Sequence, residues 1–212
     1  MLYSELQCSE AIHKAVERMG FAEMTEIQEK TIPLMLAGHD VIAKAPTGTG
    51  KTCAFGIPVA EHIQPENKYP QAVIMAPTRE LAQQIAQELE ALTYFMPEVQ
   101  VACVYGGANM EKQARRLAEG CQIVVATPGR LMDHYKHHSI DISHVTQIVL
   151  DEADEMLNMG FYKDVRHIIE MMKARKALSM FSATISREVM DIGWLYQHNA
   201  EEITVQPKEE SQ

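Results

Sequence analysis

The chain has 212 residues, a formal net charge of -10, four cysteines and fourteen methionines. That length supports one α/β domain with a sizeable core, and so acidic a balance excludes a broad basic surface as the means of holding a polyanion. Cys8, Cys53, Cys103 and Cys121 lie far apart without a CxxC pair, which suggests neither a disulfide framework nor a zinc site and predicts reduced, mostly buried thiols in a cytoplasmic protein.

The N-terminal stretch MLYSELQCSEAIHKAVERMG carries acids and lacks the basic start and apolar run of a signal peptide. No stretch approaches the roughly eighteen apolar residues of a membrane span, so no membrane partner is expected. Ile12, Ala15, Val16 and Met19 recur at helical spacing, with Ser9 as N-cap and Gly20 as stop, and predict a helix over 9–19. A second helix is predicted from Thr25 to about Leu36. Thr25 and Gln28 match the S/T-x-x-E/Q capping box, so Gln28 has two open readings, a helix cap or a ligand contact.

The stretch DVIAKAPTGTGKT, residues 40–52, organises the rest. Val41, Ile42 and Ala43 form an apolar run of strand length, and a helix-like segment, CAFGIPVAEHI, follows the Pro, Gly, Thr and Lys residues. Strand, loop and helix in this order suit phosphate binding. Gly48 and Gly50 let backbone N–H groups approach phosphate oxygens, Lys51 reaches the terminal phosphates, and Thr52 offers a hydroxyl to Mg²⁺. The loop, Ala45, Pro46, Thr47, Gly48, Thr49, Gly50, Lys51 and Thr52, is therefore expected to hold a nucleoside triphosphate. Ala45 stands where the general pattern has its first Gly, and Pro46 removes one N–H.

After this unit the chain alternates regularly. QAVIMAP (71–77) leads to a helix from Arg79, VQVACVYG (99–106) to a helix around 110–119, and QIVVATP (122–128) to a helix ending near 136. TQIVLDEAD (146–154) precedes helical FYKDVRHIIEMM (161–172), ALSMFSAT (177–184) precedes a helix near 186–196, and EEITVQ (201–206) is a last strand. Short Val/Ile-rich strands alternating with helices predict βαβ units and a mostly parallel sheet covered on both faces, an α/β fold. Such sheets bind ligands outside the carboxyl ends of their strands. The unusual polar sequences APTGTGKT, APTREL, YGG, TPGR, DEAD and SAT all fall at strand exits, so they should converge on one rim.

Asp151 ends the apolar run Ile148, Val149, Leu150, which carries its carboxylate to the rim of Lys51 and Thr52. That suits an aspartate holding Mg²⁺ partly through water, with Glu152 next to it to orient or deprotonate the attacking water. The competing reading is that carboxylates near a helix start answer the helix dipole.

These motifs, in this order and spacing, resemble the first RecA-like domain of the DEAD-box RNA helicases, over about residues 3–206. GFAEMTEIQ, residues 20–28, is similar to the family's adenine-recognition element. The resemblance implies a RecA-like P-loop NTPase fold over 1–206, with adenine-recognition helices at 1–38, the P-loop core at 39–206 and a polar tail or linker at 207–212. It implies ATP with Mg²⁺ as cofactors, with Gln28 on the adenine edge, Phe21 stacked on the base and Tyr3 where the family usually has an isolated Phe. Lys51 and Thr52 would serve the phosphates and metal, Asp151 the metal and Glu152 the water, so that Glu152, Lys51 and Asp151 carry catalysis. Asp154, Ser182 and Thr184 would couple nucleotide state to RNA contact, and Thr78, Arg79, Gly106, Gly107, Thr127 and Arg130 would form or support the RNA backbone site. Met24, Glu26 and Pro46 depart from the family pattern, at positions that bear on nucleotide affinity.

Within that resemblance, the two helix starts after Pro77-Thr78-Arg79 and Thr127-Pro128-Gly129-Arg130 would offer N–H groups to phosphates, with Pro128 at the first helical position. Such contacts read the backbone and predict weak, sequence-independent single-strand binding, with any preference for RNA resting on 2′-OH contacts. The family's second RecA-like domain, which supplies arginines to the γ-phosphate, has no counterpart in these residues. Since an arginine finger is worth ~10³ to 10⁵ in rate, the chain alone is expected to be a monomer that binds nucleotide but hydrolyses poorly. The alternative is a non-catalytic nucleotide-gated module for RNA or protein. His134, His137 and His138 are read as a solvated helix end, the methionines as flexible core filler, and Lys163 to Arg175 as an outer helix face.

Overall fold

A computed structural model of the chain describes residues 1–46 and 50–206. After a short 3₁₀ turn at Tyr3–Glu5 come helices α1 (Glu10–Arg18) and α2 (Glu26–Leu36), then β1 (Val41–Lys44), α3 (Lys51–Glu61), β2 (Ala72–Met75), α4 (Arg79–Leu92) and β3 (Val101–Val104). They are followed by α5 (Met110–Ala118), β4 (Ile123–Ala126), α6 (Pro128–Lys136), β5 (Gln147–Asp151), α7 (Ala153–Met156), α8 (Tyr162–Met171), β6 (Ala177–Ser182), α9 (Arg187–Tyr196) and β7 (Glu201–Thr204). A kink at Gly160, whose φ is +91°, separates α7 from α8, and that conformation favours glycine.

Among the described residues the strands form one sheet in the order β3-β4-β2-β5-β6-β1-β7, with every neighbouring pair parallel. Strands with helices on both faces cannot alternate apolar and polar residues, and β2 and β4 are buried at every position. Alternate residues feed two cores. Ala43, Ile74, Val125, Val149 and Phe181 face α1 to α4, whereas Val73, Met75, Val124, Leu150 and Met180 face α6, α8 and α9. Phe55 and Phe181 meet edge to face at 5.2 Å in the first core, which joins the helix after the phosphate loop to the strand that ends in SAT. The N-terminal segment belongs to the same core through Tyr3, Leu6, Ile12, Val16, Ile27 and Ile32.

Ser9 and Thr25 cap α1 and α2 as expected, and both halves of the capping box at Thr25 and Gln28 are formed. Met156 and Met172 are core residues, but Met159 is half exposed, because it lies in the kinked segment between α7 and α8. No helix among the described residues is long and apolar enough to cross a membrane.

Candidate nucleotide and nucleic-acid site

An all-parallel sheet brings every strand exit to one rim, and the strand order sorts the six polar loops into two halves. The exits of β3, β4 and β2 carry Gly106-Gly107, Thr127-Arg130 and Thr78-Arg79. Those of β5, β6 and β1 carry Asp151-Asp154, Ser182-Thr184 and the phosphate loop.

In the second half, Lys51 and Asp151 meet although β6 lies between their strands. Nζ stands 3.3 Å from Oδ1, with the side chains 7% and 1% exposed. The contact is an ion pair without a directed hydrogen bond, since the ammonium has no hydrogen-bond partner among the described residues. A buried donor so placed is suited to a phosphate oxygen. Asp151 Oδ1 also accepts the Glu152 N–H at 2.9 Å. Burial pushes the Asp151 carboxyl up, and Lys51 and that N–H pull it back. Asp151 ends β5 with a carboxylate and Thr52 is the second residue of α3, and carboxylate and hydroxyl oxygens are the hard donors that suit Mg²⁺ with retained waters.

Glu152 has φ +48° and ψ +51°, a left-handed conformation rare outside glycine, at the turn from β5 into α7. Burial and a hydrogen bond with Glu155 push its carboxyl up to about 7, against the opposing pull of Lys51. A proton acceptor titrating there is poised for use at neutral pH.

Gln28 serves as a cap and as more than a cap. Its Oε1 accepts the Thr25 N–H at 3.0 Å and the Tyr3 hydroxyl, and its Nε2 donates to the Gly50 carbonyl at 3.1 Å. The same amide therefore closes the start of α2 and holds Gly50, the residue before α3. Gly50 has φ +77°, and a Cβ there would lie 2.7 Å from Gln28 Nε2. Phe21 is 44% exposed beside Tyr3, with ring centroids 6.3 Å apart. Ala45 is buried and its N–H donates to the Ser182 carbonyl at 3.0 Å. The expectations for Thr47, Gly48 and Thr49 lie outside the described residues.

Asp154 links two loops. Its Oδ2 accepts the Thr184 hydroxyl at 2.7 Å and the Thr184 N–H at 3.1 Å, while its own N–H donates to Ser182 Oγ at 3.0 Å. Burial raises the Asp154 carboxyl, but the Thr184 hydroxyl and the surrounding donors outweigh it and hold the carboxyl below the usual range.

In the first half, Gly106, Gly107 and Arg79 are exposed, and the Arg79 guanidinium lies 4.8 Å over the Tyr105 ring. Gly107 has φ +85°. Thr78 spends its hydroxyl on the Leu81 N–H at 3.2 Å, whereas α6 starts at Pro128 with no side-chain cap among the described residues. Of the two predicted helix starts, α6 is thus the one with uncapped first-turn N–H groups. Arg130 turns inward. It is 13% exposed, its Nη1 donates to the Ala108 carbonyl at 2.9 Å and to Gln113 Oε1 at 3.1 Å, and its Nε lies 3.6 Å from Asp133.

The reading of His134 as part of a solvated helix end is corrected. Its side chain is fully buried with Nε2 3.0 Å from Gln113 Oε1, because α6 presses that position against α5; His137 and His138 are exposed. Burial, then Arg130, lowers its pKa. Sequence reasoning missed Gln113 and Glu155, and also Glu88 of α4, whose carboxyl burial raises against a hydrogen bond from Thr52. All three read as ordinary polar helix positions. A concavity of about 620 Å³ between α9 and β7 beside Trp194 contains none of the predicted residues.

Residues 25–192 match the family model described as DEAD/DEAH box helicase. The chain is 48% identical over 207 residues to the ATP-dependent RNA helicase CshA of Listeria monocytogenes, covering 98% of this chain and 40% of that protein. It is 40% identical to the ATP-dependent RNA helicase DeaD of Mycobacterium tuberculosis, covering 97% of this chain and 37% of the relative. The crystal structure of a DEAD box protein from Methanococcus jannaschii superposes with a TM-score of 0.90 at 39% identity, over 97% of this chain and 56% of that one. A hypothetical ATP-dependent RNA helicase from Sulfolobus tokodaii gives 0.85 at 40% identity, over 93% and 57%. The chain thus spans about 40% of the length of the curated relatives it matches.

Proposed function

Because the chain belongs to the DEAD/DEAH box helicase family, we propose that it is the ATP- and RNA-binding RecA-like domain of an ATP-dependent RNA helicase, acting together with a second RecA-like domain. The observation that carries this reading is the Lys51–Asp151 pair, 3.3 Å apart across β6, on the rim that also bears Gly106-Gly107 and the start of α6. Lys51 would give up its contact with Asp151 to hold the terminal phosphates. Thr52 and Asp151 would hold Mg²⁺, which supplies neutralisation of charge developing on the phosphate oxygens. Phe21 would stack on the adenine and Gln28 would meet its edge. Glu152 would take a proton from the attacking water, with Asp151 and Lys51 fixing the electrostatics around it.

The other half of the rim would hold phosphates of a single strand through the amides of Gly106 and Gly107, the first turn of α6 and the exposed Arg79, without reading bases. Asp154, Ser182 and Thr184 would carry the state of the nucleotide half toward the RNA half. The second domain would supply arginine to the transferring phosphate, a contribution of ~10³ to 10⁵ in rate, so hydrolysis is assigned to the longer protein.

The test is titration of this chain with fluorescent ADP or a non-hydrolysable ATP analogue plus Mg²⁺, beside Lys51→Met. Saturable binding lost in the variant supports the reading; equal binding by both refutes it. In the longer protein, unchanged hydrolysis by Glu152→Gln would remove the assignment of Glu152 as base.

A further inference from the structure

The RNA half of the rim contains a polar junction that the roles above leave unexplained. Gln113 of α5 is buried and its amide joins three elements: Nε2 donates to the Tyr105 carbonyl at 3.0 Å, and Oε1 faces Arg130 Nη1 at 3.1 Å and His134 Nε2 at 3.0 Å. Arginine has only donors, so the group facing Arg130 must be the amide oxygen, and the amide orientation follows. His134 must then carry its hydrogen on Nε2. Its Nδ1 is buried without a hydrogen-bond partner among the described residues, which agrees with a neutral ring.

The Tyr105 carbonyl immediately precedes Gly106-Gly107, and the Ala108 carbonyl, on Arg130 Nη1 at 2.9 Å, immediately follows them. The glycine pair is thus gripped on both flanks, by Gln113 on one side and by Arg130 on the other, while Oε1 of Gln113 holds Arg130. Gly107, at φ +85°, has no side chain to hold its own turn. The Tyr105 ring is fixed in turn by Arg79 above it and by Gln83 Nε2 on its hydroxyl at 3.1 Å.

We infer that Gln113 is a positioning residue for RNA backbone binding, which sets the Gly106-Gly107 amides against the first turn of α6, and that Arg130 acts as the second clamp on that loop and not as a phosphate ligand. The inference rests on reading this rim as an RNA backbone site. It differs from that reading in assigning the charge of Arg130 to the fold of the site. Both bonds leave Nη1, which lies one atom farther along the side chain than a lysine Nζ, and a lysine has no counterpart of the Nε that faces Asp133, so Arg130→Lys cannot keep all three contacts.

The experiment compares the 212-residue chain with Gln113→Leu, Gln113→Glu and Arg130→Lys. It uses titration with a labelled single-stranded RNA, titration with a fluorescent adenine nucleotide, and hydrogen exchange at the amides of Gly106, Gly107 and Ala108. Gln113→Glu keeps acceptors for Arg130 and His134, adds a charge that Arg130 can pair, and puts an acceptor in place of the donor to Tyr105, so it remains informative where Gln113→Leu fails to fold. The expected result is faster exchange at the three amides and an RNA affinity lowered about tenfold in every variant, with nucleotide affinity unchanged. RNA affinity within about twofold of the unsubstituted chain in Gln113→Glu overturns the inference, as does full affinity in Arg130→Lys, which would mark Arg130 as a direct phosphate contact. Unchanged exchange overturns it without any RNA present. Failure of the unsubstituted chain to bind RNA, with exchange still faster in the variants, overturns instead the assignment of the rim and the inference with it.

Discussion

Gln28 Nε2 donates to the carbonyl of Gly50 at 3.1 Å, so the side chain that caps α2 also fixes the residue at which the phosphate loop becomes helix α3. The segment proposed to meet adenine and the loop proposed to hold phosphates are thereby one mechanical unit. Gly50 allows this in two ways. Its φ of +77° suits glycine, and any Cβ would lie 2.7 Å from Gln28 Nε2.

The first prediction is that Gly50→Ala weakens nucleotide binding by an order of magnitude or more. It combines about 1 to 2 kcal/mol of left-handed backbone strain with displacement of Gln28. Gln28→Ala removes the clash but also the capping box, so the double variant should bind no better than Gln28→Ala alone. Nucleotide affinity and thermal midpoints of the three variants check this. Full affinity in Gly50→Ala would refute it.

A second prediction concerns pH. Burial and Glu155 raise the Glu152 carboxyl to about 7, so hydrolysis in the longer protein should rise with pH through that region as the base loses its proton. For stability the sign is opposite to that of a salt-bridged carboxylate. A raised folded pKa contributes stability that is fully present below the unfolded value near 4.5 and is lost as pH rises through about 7. Glu155→Gln removes the neighbouring charge and should move the Glu152 titration toward the ordinary range. Carbon NMR of the side-chain carboxyl follows it directly, and a midpoint near the ordinary Glu value in the unsubstituted chain would sink the prediction.

Thr184 offers a third. Its hydroxyl and N–H both reach Asp154 Oδ2, at 2.7 and 3.1 Å, and the low pKa of Asp154 depends on those donors. Thr184→Val keeps shape and removes the charge-assisted bond, at a cost of about 1.5 to 3 kcal/mol discounted for partial exposure. Nucleotide affinity should hold within a few-fold, while the effect of bound nucleotide on RNA affinity shrinks. Equal coupling in variant and parent would show that this pair does not transmit the state of the site.

Much of this organisation was legible in the sequence, for a physical reason. Strands buried on both faces read as continuous apolar runs, and Asp151 or Ser182 stands out where such a run stops. A parallel sheet then brings all the stops to one rim. The spatial order of the strands was not legible, because it depends on which crossover helix covers which face, and that is a non-local choice. Only the observed order shows that the loops of Gly106-Gly107, Thr127-Arg130 and Thr78-Arg79 are neighbours, while Lys51 reaches Asp151 across β6. Gln113 and His134 were illegible for a different reason. On a single helix their spacing is that of solvated residues, and their burial arises only where α5 and α6 meet. Arg130 was expected beside the loop of Gly106-Gly107, but the sequence gives no direction to a side chain, and this one points inward.

The last prediction tests the ion pair at the centre of the site. Lys51→Met leaves Asp151, 1% exposed, without its opposing charge, and burial already pushes that carboxyl up. Breaking a buried pair from one side costs about 3 to 5 kcal/mol when the remaining charge stays ionised. Protonation of Asp151 relieves part of it, so the loss should depend on pH. The raised folded pKa makes the variant's stability greatest at acid pH and lost as pH rises through the folded value, more steeply than in the parent. Replacing both groups, as Lys51→Met with Asp151→Asn, removes the stranded charge and should recover most of the neutral-pH stability without recovering nucleotide binding. Thermal midpoints of the four proteins between pH 5 and 8 measure the coupling. A Lys51→Met midpoint that falls no faster with pH than that of the parent would mean that Asp151 is not held by Lys51, and the site would need another source for its charge balance.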